Sequence, residues 1–166
     1  QDRDIYILNP LDPASEKKII DNAGGGWGIS DWSPDDSRLL IQEFISVNET
    51  RLYLTDVNTG TKNRLLPEKD ERTTFIVVGF SKDGKGIYVV TNKDSEFNRL
   101  AYYDLATKKL NFISSAIQWD VEDATLSKDG NQVAFVTNEN GLSKLYSLST
   151  ATNKYEQIPN LPTGVI

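Results

Sequence analysis

A short turn motif that recurs three times constrains the fold of this chain more than any other feature. The three copies are Ser33-Pro-Asp-Asp-Ser37, Ser81-Lys-Asp-Gly-Lys85 and Ser127-Lys-Asp-Gly-Asn131, so their first serines are 48 and 46 residues apart. Proline sets φ for a turn, and Asp and Ser side chains accept hydrogen bonds from nearby backbone. Because an apolar run follows each copy, each copy predicts a turn between two β-strands.

A second motif recurs in the same register. Its copies are Leu52-Tyr-Leu-Thr-Asp-Val-Asn-Thr-Gly60, Leu100-Ala-Tyr-Tyr-Asp-Leu-Ala-Thr-Lys108 and Leu145-Tyr-Ser-Leu-Ser-Thr-Ala-Thr-Asn153, and Ile5-Tyr-Ile-Leu-Asn-Pro10 fits the same slot. This alignment makes four positions equivalent at spacings of 47, 48 and 45 residues, namely Tyr6, Tyr53, Ala101 and Tyr146. A strand that runs into a turn is therefore repeated with a period near 46 residues.

Each full repeat contains four short runs rich in Val, Ile, Leu, Tyr and Phe, as β-strands prefer. No stretch has sustained apolar spacing at 3.6 residues, and an immunoglobulin-type sandwich would not repeat one turn chemistry in one slot. We therefore expect an all-β chain that forms a partial β-propeller, with three four-stranded blades plus a half blade. The predicted strands are 5–8 and 17–20, then 29–33, 38–45, 51–57 and 62–66, then 75–81, 86–91, 99–105 and 110–114, then 121–127, 132–137, 144–149 and 155–158.

The repeats divide the chain into one propeller segment over residues 1–166. Residues 1–22 form the half blade, residues 27–66, 74–114 and 119–158 form full blades, and residues 159–166 begin another. The sequence has no methionine, even at position 1, so we expect a piece of a longer protein. An open arc of blades leaves sheet faces and edges uncovered, which predicts self-association.

Composition excludes several classes of function. The net charge is −6 without a basic stripe, which argues against a nucleic acid or an anionic membrane as partner. No run approaches the roughly 20 apolar residues of a membrane span. The chain has no Cys and no His, so it cannot hold a Ser-His-Asp or Cys-His catalytic set or a typical zinc site. We expect no cofactor, and a soluble protein of the bacterial cytoplasm or periplasm, with the compartment undetermined.

Several motifs resemble known propeller repeats. Trp32-Ser-Pro-Asp-Asp36 followed by Leu52-Tyr-x-x-Asp-x-x-Thr-Gly60 resembles the PD40, or TolB-like, repeat. Three further stretches resemble the N-terminal propeller of bacterial S9 (prolyl oligopeptidase family) serine peptidases, in the acylaminoacyl-peptidase-like branch. They are Gly24-Gly-Gly-Trp-Gly28, Gln42-Glu-Phe-Ile-Ser-Val-Asn-Glu-Thr50 and Leu161-Pro-Thr-Gly-Val-Ile166.

The resemblance implies a non-catalytic segment that gates a peptidase site and supports peptide selection. In that family a C-terminal α/β-hydrolase domain of the same chain carries a Gly-x-Ser-x-Gly elbow, so that domain is the implied partner. No such elbow occurs here, and we expect that the chain is not an enzyme. The alternative is a TolB-like propeller that acts as a protein–protein interaction scaffold. A sugar-acting propeller enzyme is disfavoured because such enzymes generally use a His or metal set.

Candidate binding residues lie near the loops between the second and third strands of each repeat. These loops are 46–50, 92–98 and 138–141, and in a propeller they share one face with the connections between blades. The substrate- or partner-facing set is Glu43, Glu49, Arg51, Glu96 and Arg99, whose carboxylates could bind a peptide amino terminus. The alternative is solvated surface charge and strand-end ion pairs.

Three tryptophans and one turn have two interpretations each. Trp27 and Trp119, next to first strands, either wall a ligand channel or pack between blades. We expect Trp32 to pack in the core. The Asp56-Val-Asn-Thr-Gly60 stretch lacks the later glutamate of a calcium loop, so we expect a plain turn there.

Overall fold

The structure is a computed structural model that describes residues 4–21 and 24–164. In this part of the chain every regular element is a β-strand, and no helix could span a membrane. The strands are β1 Ile5–Asn9, β2 Asp12–Ile20, β3 Trp27–Trp32, β4 Arg38–Ser46, β5 Glu49–Asp56, β6 Lys62–Leu66, β7 Phe75–Phe80, β8 Gly86–Thr91, β9 Arg99–Asp104, β10 Lys109–Phe112, β11 Val121–Leu126, β12 Gln132–Glu139, β13 Leu142–Ser149 and β14 Lys154–Gln157.

The strands form antiparallel sheets in which chain neighbours are also spatial neighbours. The chain divides into two compact units, Gln1–Arg72 and Thr73–Ile166. The first unit contains the two-stranded sheet β1-β2 and the four-stranded sheet β3-β4-β5-β6. The second unit contains the four-stranded sheets β7-β8-β9-β10 and β11-β12-β13-β14. This confirms the expected fold class, a partial β-propeller with three four-stranded blades and a half blade.

Each four-stranded sheet has an irregularity at the same place in its first strand. The pairing register shifts between Ile29 and Asp31 in β3, between Val77 and Gly79 in β7, and within residues 121–123 of β11. A bulge bends a strand and increases its twist. The sheets therefore repeat a local distortion as well as a strand order.

Two loops predicted between second and third strands are shorter in the structure. β4 and β5 extend into the segment 46–50, and β12 and β13 leave only Asn140 and Gly141 between them. Asn140 and Gly141 have φ of 56° and 83°, the left-handed values of a type I′ hairpin turn. The Asn-Gly pair was the sequence signal for this tight turn.

Each unit has its own apolar core. In the first unit the core consists of Ile5, Ile20, Leu39 and Ile41. In the second unit the central strand β8 is buried at all six positions, so it reads as a continuous apolar run rather than an alternating one. Eight buried residues form the core there: Tyr88, Val90, Leu100, Val121, Val133, Phe135, Tyr146 and Leu148.

The first recurrent turn has one hydrogen-bond pattern in all three copies. In the first copy the Ser33 hydroxyl donates to Asp35 Oδ1 (2.6 Å) and accepts from the Arg38 amide (2.9 Å). Ser81 with Asp83 repeats the pattern at 2.7 and 3.0 Å, and Ser127 with Asp129 at 2.6 and 3.0 Å. The Ser-x-Asp spacing therefore closes the first hairpin of every blade through its own side chains.

The second recurrent turn also uses a side-chain cap. Asp56 Oδ1 accepts from the amides of Asn58 (3.0 Å) and Thr59 (2.8 Å) and from the Thr59 hydroxyl (3.0 Å). Asp104 Oδ1 repeats these bonds with residues 106 and 107. The structure thus shows the plain turn that was expected at residues 56–60.

The expectation that Trp32 packs in the core was wrong. Its side chain is 40% exposed at the end of β3, whereas Phe80, the equivalent residue of the next repeat, is buried. Trp is rarely buried completely because of its size, and a strand end covers only part of an indole.

Candidate functional site

Five charged side chains form a network at one end of the first blade, which we call the Arg51 cluster. Its members are Glu43 on β4, Glu49 and Arg51 on β5, Arg64 on β6, and Asp70 in the segment after β6. The Arg51 guanidinium lies 3.7 Å from Glu43, 3.2 Å from Glu49 and 3.6 Å from Asp70. Arg64 binds Asp70 at 2.6 Å. Three carboxylates thus share two guanidinium groups, and the cluster has a net charge of −1.

The two glutamates of the cluster differ in how strongly they are held. Glu43 Oε2 accepts a hydrogen bond from the Tyr53 hydroxyl (2.9 Å) in addition to its Arg51 contact. Burial, together with that bond, raises the pKa of Tyr53, so the phenol remains a donor. Glu49 has the contact to Arg51 and lies next to the hairpin tip. Glu49 is therefore the carboxylate that can turn toward a ligand at the lower cost.

Asp70 extends the cluster to the segment that follows the blade. The hydrogen bond from Arg64 lowers the pKa of the Asp70 carboxyl, and the charge of Arg51 acts in the same direction. Sequence analysis placed the 69–74 connection on the same face as the 46–50 loop but did not single out Asp70 or Arg64. Only the strand register, which sets Arg64 opposite Tyr53, identifies them.

Trp27 packs beside this cluster within its own sheet. Its ring centroid lies 5.3 Å from that of Tyr53, and Lys62 Nζ lies 3.9 Å from the Trp27 ring centroid. Burial lowers the pKa of Lys62. These contacts match the packing interpretation of Trp27, although the indole also lines an open cleft near Phe44 and Gln42.

The second blade holds its predicted site residues in a different way. The Arg99 guanidinium lies over the Phe112 ring, 3.8 Å from the centroid, and donates to the Lys93 carbonyl oxygen. Glu96 lies in the loop between β8 and β9, is exposed, and within the described residues forms no ion pair. The structure therefore does not bring Glu96 and Arg99 together as a pair.

The third blade contains a carboxylate network that the sequence analysis missed. Glu139 Oε1 accepts from the Tyr146 hydroxyl (2.6 Å) and the Thr137 hydroxyl (3.1 Å), and Lys144 binds Oε2. Burial opposes ionisation of Glu139, yet these hydrogen bonds together lower its pKa. Burial and the bond to Glu139 raise the pKa of Tyr146 to about 12. The signal was in the repeat, because a cation, a leucine and then Tyr or Ala begin every third strand: Arg51-Leu-Tyr53, Arg99-Leu-Ala101 and Lys144-Leu-Tyr146.

Trp119 differs from Trp27 in its exposure. Its side chain is 40% exposed in the segment before β11, next to Asp120, whose Oδ1 accepts from the Asn98 amide (2.7 Å). The segment 92–98 therefore contacts the connection that precedes the third blade. Packing alone does not account for Trp119, whose indole face remains open to a ligand.

Metal chemistry has no visible basis at these positions. Across residues 4–21 and 24–164, no three His, Cys, Asp or Glu side chains converge as metal ligands would. What the Arg51 cluster can do chemically is bind a cation or a peptide amino terminus through charge-assisted hydrogen bonds.

Antiparallel four-stranded sheets that repeat one strand order and two turn chemistries define this chain as a β-propeller protein. The family model described as the dipeptidyl peptidase IV (DPP IV) N-terminal region matches residues 15–162. The chain therefore belongs to this family, which is the N-terminal propeller of S9 peptidases. A search of curated proteins found no match.

Solved structures of similar fold support this assignment. A prolyl endopeptidase structure superposes with a TM-score of 0.74 at 13% identity, over 98% of this chain and 27% of the other. TolB from Acinetobacter baumannii gives 0.66 at 19% identity, over 89% and 35%. Prolyl oligopeptidase B from Galerina marginata, bound to a 35mer hydrolysis and macrocyclization substrate, gives 0.70 at 12%, over 92% and 23%. At these identities the likeness concerns the fold, and the chain spans about a quarter to a third of each of these proteins.

Proposed function

We propose that this chain is the non-catalytic propeller segment of an S9-type serine peptidase, where it shapes substrate access and supports peptide selection. The observation that carries the proposal is the family match over residues 15–162, which coincides with the repeated sheets. The chain has no histidine, so it cannot supply a Ser-His-Asp triad by itself. The catalytic groups would belong to an α/β-hydrolase domain in the same polypeptide.

Sequencing the gene beyond the codon for Ile166 tests this assignment directly. We expect a Gly-x-Ser-x-Gly elbow at a strand-to-helix turn, followed in order by an Asp and a His. A reading frame that ends after further propeller repeats, without that elbow, would contradict the peptidase assignment.

The Arg51 cluster, together with Glu96, Arg99 and Trp119, is proposed as the surface that meets the substrate. Glu49 is the residue to test, because it is less firmly held than Glu43 and lies at the hairpin tip. A carboxylate there would bind the free amino terminus of a short peptide through a charge-assisted hydrogen bond.

Binding of trialanine, compared with N-acetyl-trialanine, tests the role of Glu49. We expect calorimetry to show binding of the free peptide only, and Glu49→Gln to weaken it about tenfold. Glu16→Gln, which removes an exposed carboxylate on β2, is the matched control and should bind normally. Equal binding of both peptides would contradict the proposed surface.

A protein-interaction scaffold is the second candidate function. It is favoured by the apolar tip of the hairpin formed by β4 and β5, where Phe44, Ile45 and Val47 are exposed together. Exposed apolar patches mark interaction sites. The gene sequence separates the two candidates, since a scaffold needs no hydrolase domain.

A further inference from the structure

The two-stranded sheet of the half blade has an edge that no described residue covers. Within residues 4–21 and 24–164, β1 is paired with β2 alone. Its other edge therefore presents backbone amide and carbonyl groups in an extended row. Such an edge is a template for another strand.

The three full blades show what occupies the equivalent edge. The repeat makes β1 the counterpart of β5, β9 and β13, because Tyr6 aligns with Tyr53, Ala101 and Tyr146. In all three blades that strand pairs on one side with the fourth strand and on the other with the antiparallel second strand. The occupied edges therefore belong to β4, β8 and β12, and the open one has no counterpart in the half blade.

The side chains opposite this edge follow one rule in all three blades. Second-strand residues opposite the Tyr6 position are Ile41, Val89 and Phe135, and those opposite the Leu8 position are Leu39, Ile87 and Val133. All six are fully or almost fully buried. Each second strand therefore carries two bulky apolar side chains two residues apart.

The exposure of β1 shows that the same complement is absent there. Tyr6 is 46% exposed and Leu8 is 45% exposed. Their counterparts in the full blades are half-buried or buried, and Thr55, Tyr103 and Leu148 at the Leu8 position are all fully or almost fully buried. The other side of β1 is satisfied, because Ile5 and Ile7 pack into the core of the first unit.

We propose that the free edge of β1 binds an extended polypeptide segment in antiparallel orientation by β-strand addition. The segment carries two bulky apolar residues separated by one residue, the first opposite Leu8 and the second opposite Tyr6. Main-chain hydrogen bonds provide the affinity, and the two apolar side chains provide the register and the specificity. The partner is thus a strand of the second-strand type of this repeat, and the inference does not depend on a peptidase role.

Hydrogen exchange with a strand peptide tests the proposal on the whole chain. The probe is the acetylated and amidated peptide Gln-Val-Ala-Phe-Val-Thr-Asn-Glu, which copies residues 132–139. We expect it to slow amide exchange of residues 5–9 about tenfold. A control peptide with Ser in place of its Val and Phe at the paired positions, equivalent to Val133 and Phe135, should leave that exchange unchanged.

Two charge-matched variants locate the site. Leu8→Lys puts a cation on the proposed contact face and should abolish the protection of β1. Leu11→Lys adds the same charge in the neighbouring turn, where Leu11 is 93% exposed, and should bind as the wild type does. Both changes replace exposed side chains, and circular dichroism verifies that each variant is folded.

Three results would overturn the proposal. One is unchanged exchange of residues 5–9 at saturating peptide, and another is equal protection by the serine-containing peptide. The third is protection that rises with protein concentration without peptide, because it would assign the edge to a second copy of this chain.

Discussion

Single residues with left-handed backbone hold the recurrent turns in shape. Gly60 and its counterparts Lys108 and Asn153 have φ of 71°, 56° and 52°. A side chain in this region costs about 1–2 kcal/mol, except for glycine. The turn therefore tolerates other residues at this position, but its environment decides which ones.

Replacing Gly60 with alanine should destabilise the protein more than its backbone angle alone requires. A Cβ at residue 60 would overlap the carbonyl oxygen of Ile19, so strain and steric overlap add. We expect Gly60→Ala to lower the free energy of unfolding by about 2–3 kcal/mol, measured by urea denaturation.

Lys108→Gly is the control for that substitution. It relieves the left-handed strain but adds unfolded-state entropy, so the net change should stay within about 1 kcal/mol. Comparable destabilisation by both variants would show that the turn, and not the contact with Ile19, limits residue 60.

Acid should weaken the first turn of every blade. Hydrogen bonds from Ser33 and then Ser37 lower the pKa of Asp35 to about 2, and a serine hydrogen bond is the largest cause of the lowered pKa of Asp83 and Asp129. A lowered native pKa contributes stability above the ordinary Asp value of about 3.9, and this is lost as the pH falls toward 2. Melting temperatures between pH 5 and pH 2 should fall accordingly.

Asp35→Asn tests the residue responsible for the acid sensitivity. It should melt lower than the wild type at pH 7 and lose less stability between pH 5 and pH 2. Asp36→Asn changes a neighbouring exposed carboxylate that accepts none of these turn bonds, and it should keep the wild-type pH profile. Identical profiles for the two variants would contradict the role of Asp35.

Individual strands differ in how much of the core they carry. β8 is buried along its whole length, whereas β4 begins buried and ends exposed at the hairpin tip. The second strand of each blade therefore combines a core segment with a surface segment. Its composition follows from its position in the sheet and not from propensity alone.

A matched pair of phenylalanines measures this difference. Phe135 on β12 is buried and stacks on Tyr146 with centroids 5.0 Å apart, so Phe135→Ala should cost about 3–5 kcal/mol in urea unfolding. Phe44 on β4 is half exposed, and Phe44→Ala should cost less than about 1 kcal/mol. Similar losses at the two sites would contradict the described core.

The whole molecule consists of two compact units that share one repeat. The first unit supplies the Arg51 cluster and the open edge of β1, and the second supplies Glu96, Arg99 and Trp119. Both units consist of strands whose turns close through local side chains. Such a scaffold suits a binding or gating role for which the chemistry is supplied elsewhere.

The purified chain should therefore not hydrolyse peptides. We expect no turnover of dipeptidyl or acyl-aminoacyl p-nitroanilides above the buffer rate, since the chain has no histidine. A preparation treated with a serine-reactive inhibitor is the control for contaminating peptidases. Turnover that persists through repurification and the inhibitor would contradict the non-catalytic assignment.

The strand order, the repeat and the two turns were predictable because they depend on local physics. Ser-x-Asp and Asp-x-x-Thr spacings close their turns with neighbouring atoms, and apolar runs between turns become strands wherever they are. The family also followed from local motifs. The main errors were strand ends near residues 46–50 and 138–141, where hairpin pairing extends strands beyond their propensity.

Only the tertiary structure decided which side chains meet. The contact of Arg51 with Asp70, the network of Glu139 and the exposure of Trp32 depend on strand register and on what covers each sheet face. A sequence pattern specifies which residues lie on a face, but a register shift of one residue moves a side chain to the opposite face. The sequence by itself therefore determined the repeating architecture, and long-range packing determined the surfaces through which the protein acts.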